Sequence, residues 1–285
     1  MKLTILVDNN TYIDRYLTGE PGVCYFIECS GLKLLFDVGY SDVFLKNAQI
    51  LGIDLTRIDK IVLSHGHNDH TWGLNHLFQH YDRIPSPPAN KVDIIAHPAA
   101  FMPKFYHSKP IGMNHNASCF DYFFNVVNST HPLKLSEDIT FLGQIPRLNH
   151  YEAQHLVGHT HSNEGELTAD YVIDDSAIAI KTKDGLVIVT GCSHAGICNI
   201  IEYAKSVTGE SRIASVIGGF HLLNADESLL SETGKYLSTL SADTLYPSHC
   251  TDLAAKIYLS RYVDLKETGV GLTLNFPHVI AHRVV

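Results

Sequence analysis

One short segment constrains this 285-residue chain more than any other: Ser64-His65-Gly66-His67-Asn68-Asp69-His70, directly after the apolar run Ile58 to Leu63. This run is apolar at four of its six positions and ends Ile61-Val62-Leu63, which reads as a strand buried on both faces of its sheet, and such a sheet needs covering layers. The histidines begin where the strand stops. Along an extended chain residues i and i+2 face the same way, so His65 and His67 are presented as a pair. As the chain turns into a helix beginning near Thr71, Asp69 and His70 swing to an adjacent position. Three imidazoles and a carboxylate within six residues are transition-metal donors. Their split into two pairs fits two ions, which in dinuclear sites lie about 3.5–4 Å apart.

The flanking sequence supplies the layers. Leu3 to Val7, Val23 to Glu28 and Leu32 to Phe36 read as strands, punctuated by Gly22 and Ser30-Gly31. Ser41 to Leu51 carries Val43, Phe44, Ala48 and Leu51 at helical spacing, with Ser41 as N-cap. After about residue 170, strands at Tyr171 to Ile173, Ala177 to Thr182, Leu186 to Thr190, Ile213 to Ile217 and Thr244 to Tyr246 lead into or alternate with helices. The helices are expected at about Gly196 to Val207, Glu227 to Leu240 and Asp252 to Ser260. This recurring strand–helix unit argues for an α/β fold. Between about 81 and 170 the pattern weakens: prolines recur from Pro85 to Pro146, with clear strands only at Val92 to Ala96 and Ile139 to Leu142. We read 1–285 as a single domain with an elaborated insertion over that stretch, since long irregular segments often cover a site.

Composition excludes several classes. The chain is 45% hydrophobic and 18% charged, a globular profile. Its net charge of −9, with lysines and arginines scattered singly, argues against a nucleic-acid grip. No stretch approaches the roughly 20 apolar residues that cross a bilayer, and the apolar run after Met1 is too short for a signal peptide. No membrane partner is expected, and a cytoplasmic address follows by default. The six cysteines form no CxxC pair and read mostly as small buried groups.

Other strand ends carry further donors. Val187 to Thr190 leads into Gly191-Cys192-Ser193-His194-Ala195-Gly196, a segment that also opens a helix whose N–H groups could hold an anion. Gly218-Gly219-Phe220-His221-Leu222 follows another strand, its glycines permitting close approach to a ligand. His221 is open between ligand or substrate contact and a satisfied core histidine. Tyr246-Pro247-Ser248-His249-Cys250 follows a third, and there Cys250 reads as support or packing. His97, His107, His115, His131, His150, His155, His159 and His161 crowd the insertion, each open between metal or substrate contact and surface or packing.

With these motifs the chain resembles the metallo-β-lactamase superfamily. Gly-Cys-Ser-His-Ala-Gly, Gly-Gly-Phe-His-Leu, Ser-His-Cys-Thr and Asp174-Asp175-Ser176-Ala177 together resemble the branch that includes dihydropterin-ribofuranosylaminobenzene-phosphate synthase. The resemblance implies a four-layer αββα sandwich and two divalent ions: zinc first, manganese or iron as alternatives. His65, His67 and His194 would hold one ion, and Asp69, His70 and His249 the other, with Asp69 also catalytic. Cys192 takes the place of the family's bridging aspartate, to bridge or line the site, although a structural thiol fits there too. Asp37, in Leu35-Phe36-Asp37-Val38-Gly39, matches an early aspartate that braces the metal loop without binding metal. The implied activity is hydrolysis of a small ester, lactone or phosphoester. Pterin-type transfer and non-catalytic metal-dependent ligand binding are the alternatives. The partner is a small molecule, anionic or phosphorylated ones included; oligomeric state is left open.

Overall fold

Alternation along the strands decides the architecture. In the computed structural model, which describes residues 1–114, 120–154, 156–161, 165–240, 242 and 244–277, neighbouring residues of one strand enter different cores. Numbered in chain order, β1 (Lys2–Val7), β2 (Cys24–Cys29), β3 (Leu32–Phe36), β4 (Lys60–Val62), β5 (Val92–Ala96), β8 (Phe124–Asn128) and β17 (Thr273–Asn275) form one sheet, in the order β17-β1-β2-β3-β4-β5-β8. The second sheet comprises β9 (Leu133–Lys134), β10 (Ile139–Phe141), β13 (Ala177–Thr182), β14 (Gly185–Thr190), β15 (Ile213–Gly219) and β16 (Thr244–Ser248), in the order β16-β15-β14-β13-β10-β9.

Tyr25, Ile27, Leu34 and Phe36 of the first sheet meet Ile178, Ile180, Val187 and Val189 of the second in one core. The residues between them face outward. Phe26 and Leu35 pack beneath α1 (Val43–Ile50) and α3 (Gly73–Arg83), which follows the short α2 (Asn68–Thr71). Ala177, Ala179, Leu186 and Ile188 pack beneath α4 (Ile197–Thr208), α5 (Glu227–Thr239) and α6 (Leu253–Leu259). The fold is therefore a four-layer αββα sandwich, each strand residue contributing to one of two cores by its parity. Among the described residues no helix is long and apolar enough to cross a membrane.

Several local expectations change. Tyr171 to Ile173 is not a strand; pairing stops at Asp170, whose Oδ1 accepts from the Val172 N–H at 2.7 Å while Val172 takes φ 53°. Ser41 lies one residue outside the cap of α1, which is Asp42, and its hydroxyl accepts from the Val43 N–H. The helix expected near Thr71 begins at Asn68. The stretch 81–170 supplies β5 and β8 to the first sheet and β9 and β10 to the second. Only β6 (Lys104–Tyr106), β7 (Lys109–Pro110), β11 (Gly158–His161) and β12 (Leu167–Asp170) stand apart, as a small sheet ordered β12-β11-β6-β7. It leans on the histidine segment, where Asn68 N donates to Ile111 O at 2.8 Å.

Phe36 is fully buried between the two sheets, its ring stacked on Tyr25. Phe36→Ala is expected to cost about 3–5 kcal/mol, read as a lowered midpoint in urea unfolding.

Candidate metal centre

The first sheet's parallel strands β3 and β4 and the second sheet's parallel strands β14, β15 and β16 release their chain toward one edge, where the two sheets touch. Ser176 N donates to Ser64 O at 2.8 Å across that junction. Gly191 is required there: a Cβ on it would lie 2.1 Å from Ser64 Oγ.

The imidazoles of His65, His67 and His194 converge, each offering a nitrogen within 4.8 Å of the others. His65 Nε2 is 2.9 Å from His67 Nδ1, and the ring centroids of His67 and His194 are 4.9 Å apart. All three side chains are buried, and His67 Nε2 and both ring nitrogens of His194 have no hydrogen-bond partner. Burial depresses their basicity; His67 falls to about 4, and His65 and His194 fall well below the ordinary range. A neutral imidazole keeps a nitrogen lone pair to offer, which is the state a cation needs.

A second group adjoins it. Asp69, His70 and His249 likewise offer atoms within 4.8 Å of one another, with Asp69 Oδ2 3.6 Å from His70 Nε2 and 3.3 Å from His249 Nε2. The fully buried Asp37 accepts from Ser64 N and Ser64 Oγ at 2.7 Å each and lies 2.7 Å from His70 Nδ1. Burial opposes a charge on His70, but the Asp69 and Asp37 carboxylates outweigh it and raise its pKa to about 9. Cys192 Sγ lies 3.1 Å from His70 Nε2 and within 4.8 Å of a His65 nitrogen, between the two groups.

Residues without an assigned role in the sequence reading hold this arrangement. Asp8 Oδ1 accepts from His249 N at 3.1 Å, and Asn9 Oδ1 lies 2.9 Å from His249 Nδ1, so the polar residues ending β1 set the His249 ring. Their only sequence signal is a polar run at a strand end. Asp174 Oδ2 accepts from Gly66 N, between the first two histidines, at 2.8 Å, while its Oδ1 takes the Lys104 ammonium at 2.7 Å. Lys104 also reaches Asp170 Oδ2 at 3.0 Å. Asp175 Oδ2 accepts from Ala195 N, beside His194, at 2.8 Å; burial pushes its carboxyl up to about 7. Consecutive carboxylates thus tie down the two loops that carry the first histidine group.

His221 packs against His194, the rings tilted by 53° with centroids 4.2 Å apart, and lies beside Cys250. The side chain is exposed and borders a cleft of about 400 Å³, lined also by Tyr106, Tyr151, Leu156, Leu223 and His194.

Two expectations need correction. The N–H groups opening α4 are not free for an anion: Cys198 N and Asn199 N donate to the buried Glu152 carboxylate at 3.0–3.2 Å. The Gly218-Gly219 pair makes room for protein rather than ligand, since a Cβ on Gly219 would lie 2.5 Å from Cys250 Sγ. None of the described insertion histidines joins a group able to hold a metal. His97, the buried one among them, instead uses Nδ1 to accept from Ala99 N at 3.1 Å. His115 and His155 lie outside the described residues.

The model of the metallo-beta-lactamase superfamily matches residues 17–249. An uncharacterised protein of Methanocaldococcus jannaschii is 31% identical over 94% of this chain and 98% of its own length. The 7,8-dihydropterin-6-methyl-4-(beta-D-ribofuranosyl)-aminobenzene-5'-phosphate synthase of the same archaeon is 31% identical, covering 90% and 89%. Among solved structures, a metal-dependent hydrolase of the beta-lactamase superfamily superposes with a TM-score of 0.81 at 28% identity, over 96% of this chain and 98% of that one.

Two expectations follow from the geometry. Asp174→Ala removes one partner of a buried ion pair together with the anchor of Gly66. It should cost toward the lower end of roughly 3–5 kcal/mol, because Asp170 still faces Lys104; urea unfolding reads the loss. In chelator-treated protein the raised His70 pKa stabilises fully below its ordinary value of 6.5, and that stability is lost as pH rises through about 9. The urea midpoint should therefore fall between pH 6.5 and 9, and fall less in Asp37→Asn.

Proposed function

Because this chain belongs to the metallo-beta-lactamase superfamily, we propose that it is an enzyme hydrolysing a small ester, lactone or phosphoester with two divalent transition-metal ions. The observation that carries this reading is the pair of adjoining donor groups at one sheet edge, His65/His67/His194 and Asp69/His70/His249, with His194 on the wall of the cleft. The donors fit such ions. Three imidazole nitrogens in the cluster are buried without partners, and each would otherwise cost about 1–3 kcal/mol.

In this reading the first group takes one ion and the second group the other, with Cys192 between them. Zinc suits the imidazole-rich half; manganese or iron suits a half containing a carboxylate. When bound, such ions supply Lewis acidity and a water activated at neutral pH.

The chain's own residues do the remaining work. Asp37 and Asn9 hold the His70 and His249 rings through their Nδ1 atoms, leaving each Nε2 aimed at Asp69. Asp69 has a side chain 28% exposed, so it is the carboxylate placed to orient water and pass a proton outward. Tyr106, Tyr151, Leu156 and Leu223 wall the cleft beside His194 and restrict it to a small molecule, which His221 contacts at its rim. The hydrolase relative at 28% identity supports this class.

Pterin-type transfer is the second reading, favoured by the 31% identical synthase. There the same donors would stabilise a departing pyrophosphate. A screen of esters, lactones and phosphodiesters with several metals separates the two: turnover of any of them supports hydrolysis. Silence with a retained pterin-like metabolite supports transfer or ligand binding.

His67→Ala should lower metal content from two ions to about one. It should also cut turnover by more than the roughly 10–100-fold typical of losing a residue that only orients a ligand. Elemental analysis and steady-state kinetics on the same preparation check it, and a fully active variant with one ion refutes it.

A further inference from the structure

Cys250 follows His249 directly, and in an extended strand their side chains would point to opposite faces. They do not separate here. His249 takes a left-handed φ of 47°, which turns the chain so that both residues reach the cluster. Cys250 Sγ, Cys192 Sγ and a nitrogen of His249 all lie within 4.8 Å of one another. The Cys250 thiol donates to Cys192 O at 3.3 Å, aiming it at the loop that carries the other sulfur. The missing side chain of Gly219 creates the space, as its Cβ would lie 2.5 Å from that sulfur. On the far side of Cys192, His70 Nε2 is 3.1 Å from its sulfur. The two thiols and the His249 imidazole thus form a donor group of their own, and Cys192 links it to His65 and His70.

We propose that Cys250 joins Cys192 as a second thiolate beside His249 on the ion of the second donor group, which makes this half of the centre a site for a soft divalent ion. The inference rests on the metal-centre reading above and sharpens it. Each thiol releases its proton to solvent as the metal–sulfur bond forms. Two sulfurs beside an imidazole nitrogen would favour zinc over manganese or magnesium, which prefer oxygen. The all-imidazole half keeps three protein donors and an open position, as hydrolytic sites do.

Cobalt(II) titrated anaerobically into chelator-treated protein tests this. The near-ultraviolet thiolate-to-cobalt charge-transfer band counts bound sulfurs. We expect the band in the natural protein, about half its intensity in Cys250→Ser, none in the Cys192→Ser/Cys250→Ser double variant, and full intensity in His67→Ala. Undiminished intensity in Cys250→Ser at unchanged cobalt content overturns the proposal. Cobalt uptake with no band overturns it while leaving the metal-centre reading intact; no uptake at all sinks both. Cadmium-113 magnetic resonance on the natural protein needs no variant: one resonance shifted downfield by two sulfurs is expected, and shifts typical of nitrogen and oxygen alone would refute it.

Discussion

Four strand ends at one edge of this sandwich finish on non-glycine residues forced into left-handed backbone, and the candidate site depends on them. Asp37, Ser193, His221 and His249 take φ values of 55°, 62°, 53° and 47°. Such conformations cost on the order of 1–3 kcal/mol each and persist only where the surroundings over-determine them. Here they do. Asp37 N is held by Val62 O, Ser193 Oγ by Gly219 O, and His249 N by the Asp8 carboxylate. The donors meet there from the ends of three strands: His65, His67, Asp69 and His70 after β4, Cys192 and His194 after β14, and His249 after β16.

The second requirement is electrostatic. Packing six imidazoles at centroid separations of 4.2–5.0 Å is possible only if most stay neutral. Burial ensures this for His65, His67 and His194. His70 and His221 are the exceptions: the two carboxylates beside His70 stabilise its proton, and Cys250 and Asp175 favour one on His221. The cluster therefore has two chemically different halves before any ion enters, and Cys192 stands between them. Much of the remaining polar structure serves to keep these groups where they are: Asp174 on Gly66 N, Asp175 on Ala195 N, Glu152 on the opening turn of α4.

What could be read in advance was local. A strand within Ile58 to Leu63 was legible, although it pairs only over Lys60–Val62, and the alternation at Leu34, Leu35 and Phe36 is as plain in the sequence as in the two cores it fills. The histidine segment announced its donors because they lie within six residues. Tyr171 to Ile173 misled because its composition suits a strand, whereas the Asp170 side chain captures the next backbone N–H and ends the pairing. Glu152 could not be foreseen over α4, since it arrives from 46 residues away and lies in a stretch with no periodic signal. Lys104, 70 residues from Asp174, was equally hidden.

The sequence alone determined which chemical groups are available and on which kind of element each sits, because period, turn chemistry and donor type are properties of neighbours along the chain. Which of eighteen histidines meet, and which face solvent or cap a turn, was decided by tertiary structure. His70 finds Cys192 across 122 residues and His249 finds Asn9 across 240. Contacts of that span are set by how two sheets stack and where their strands stop. No local preference carries that information; burying both apolar faces at once does.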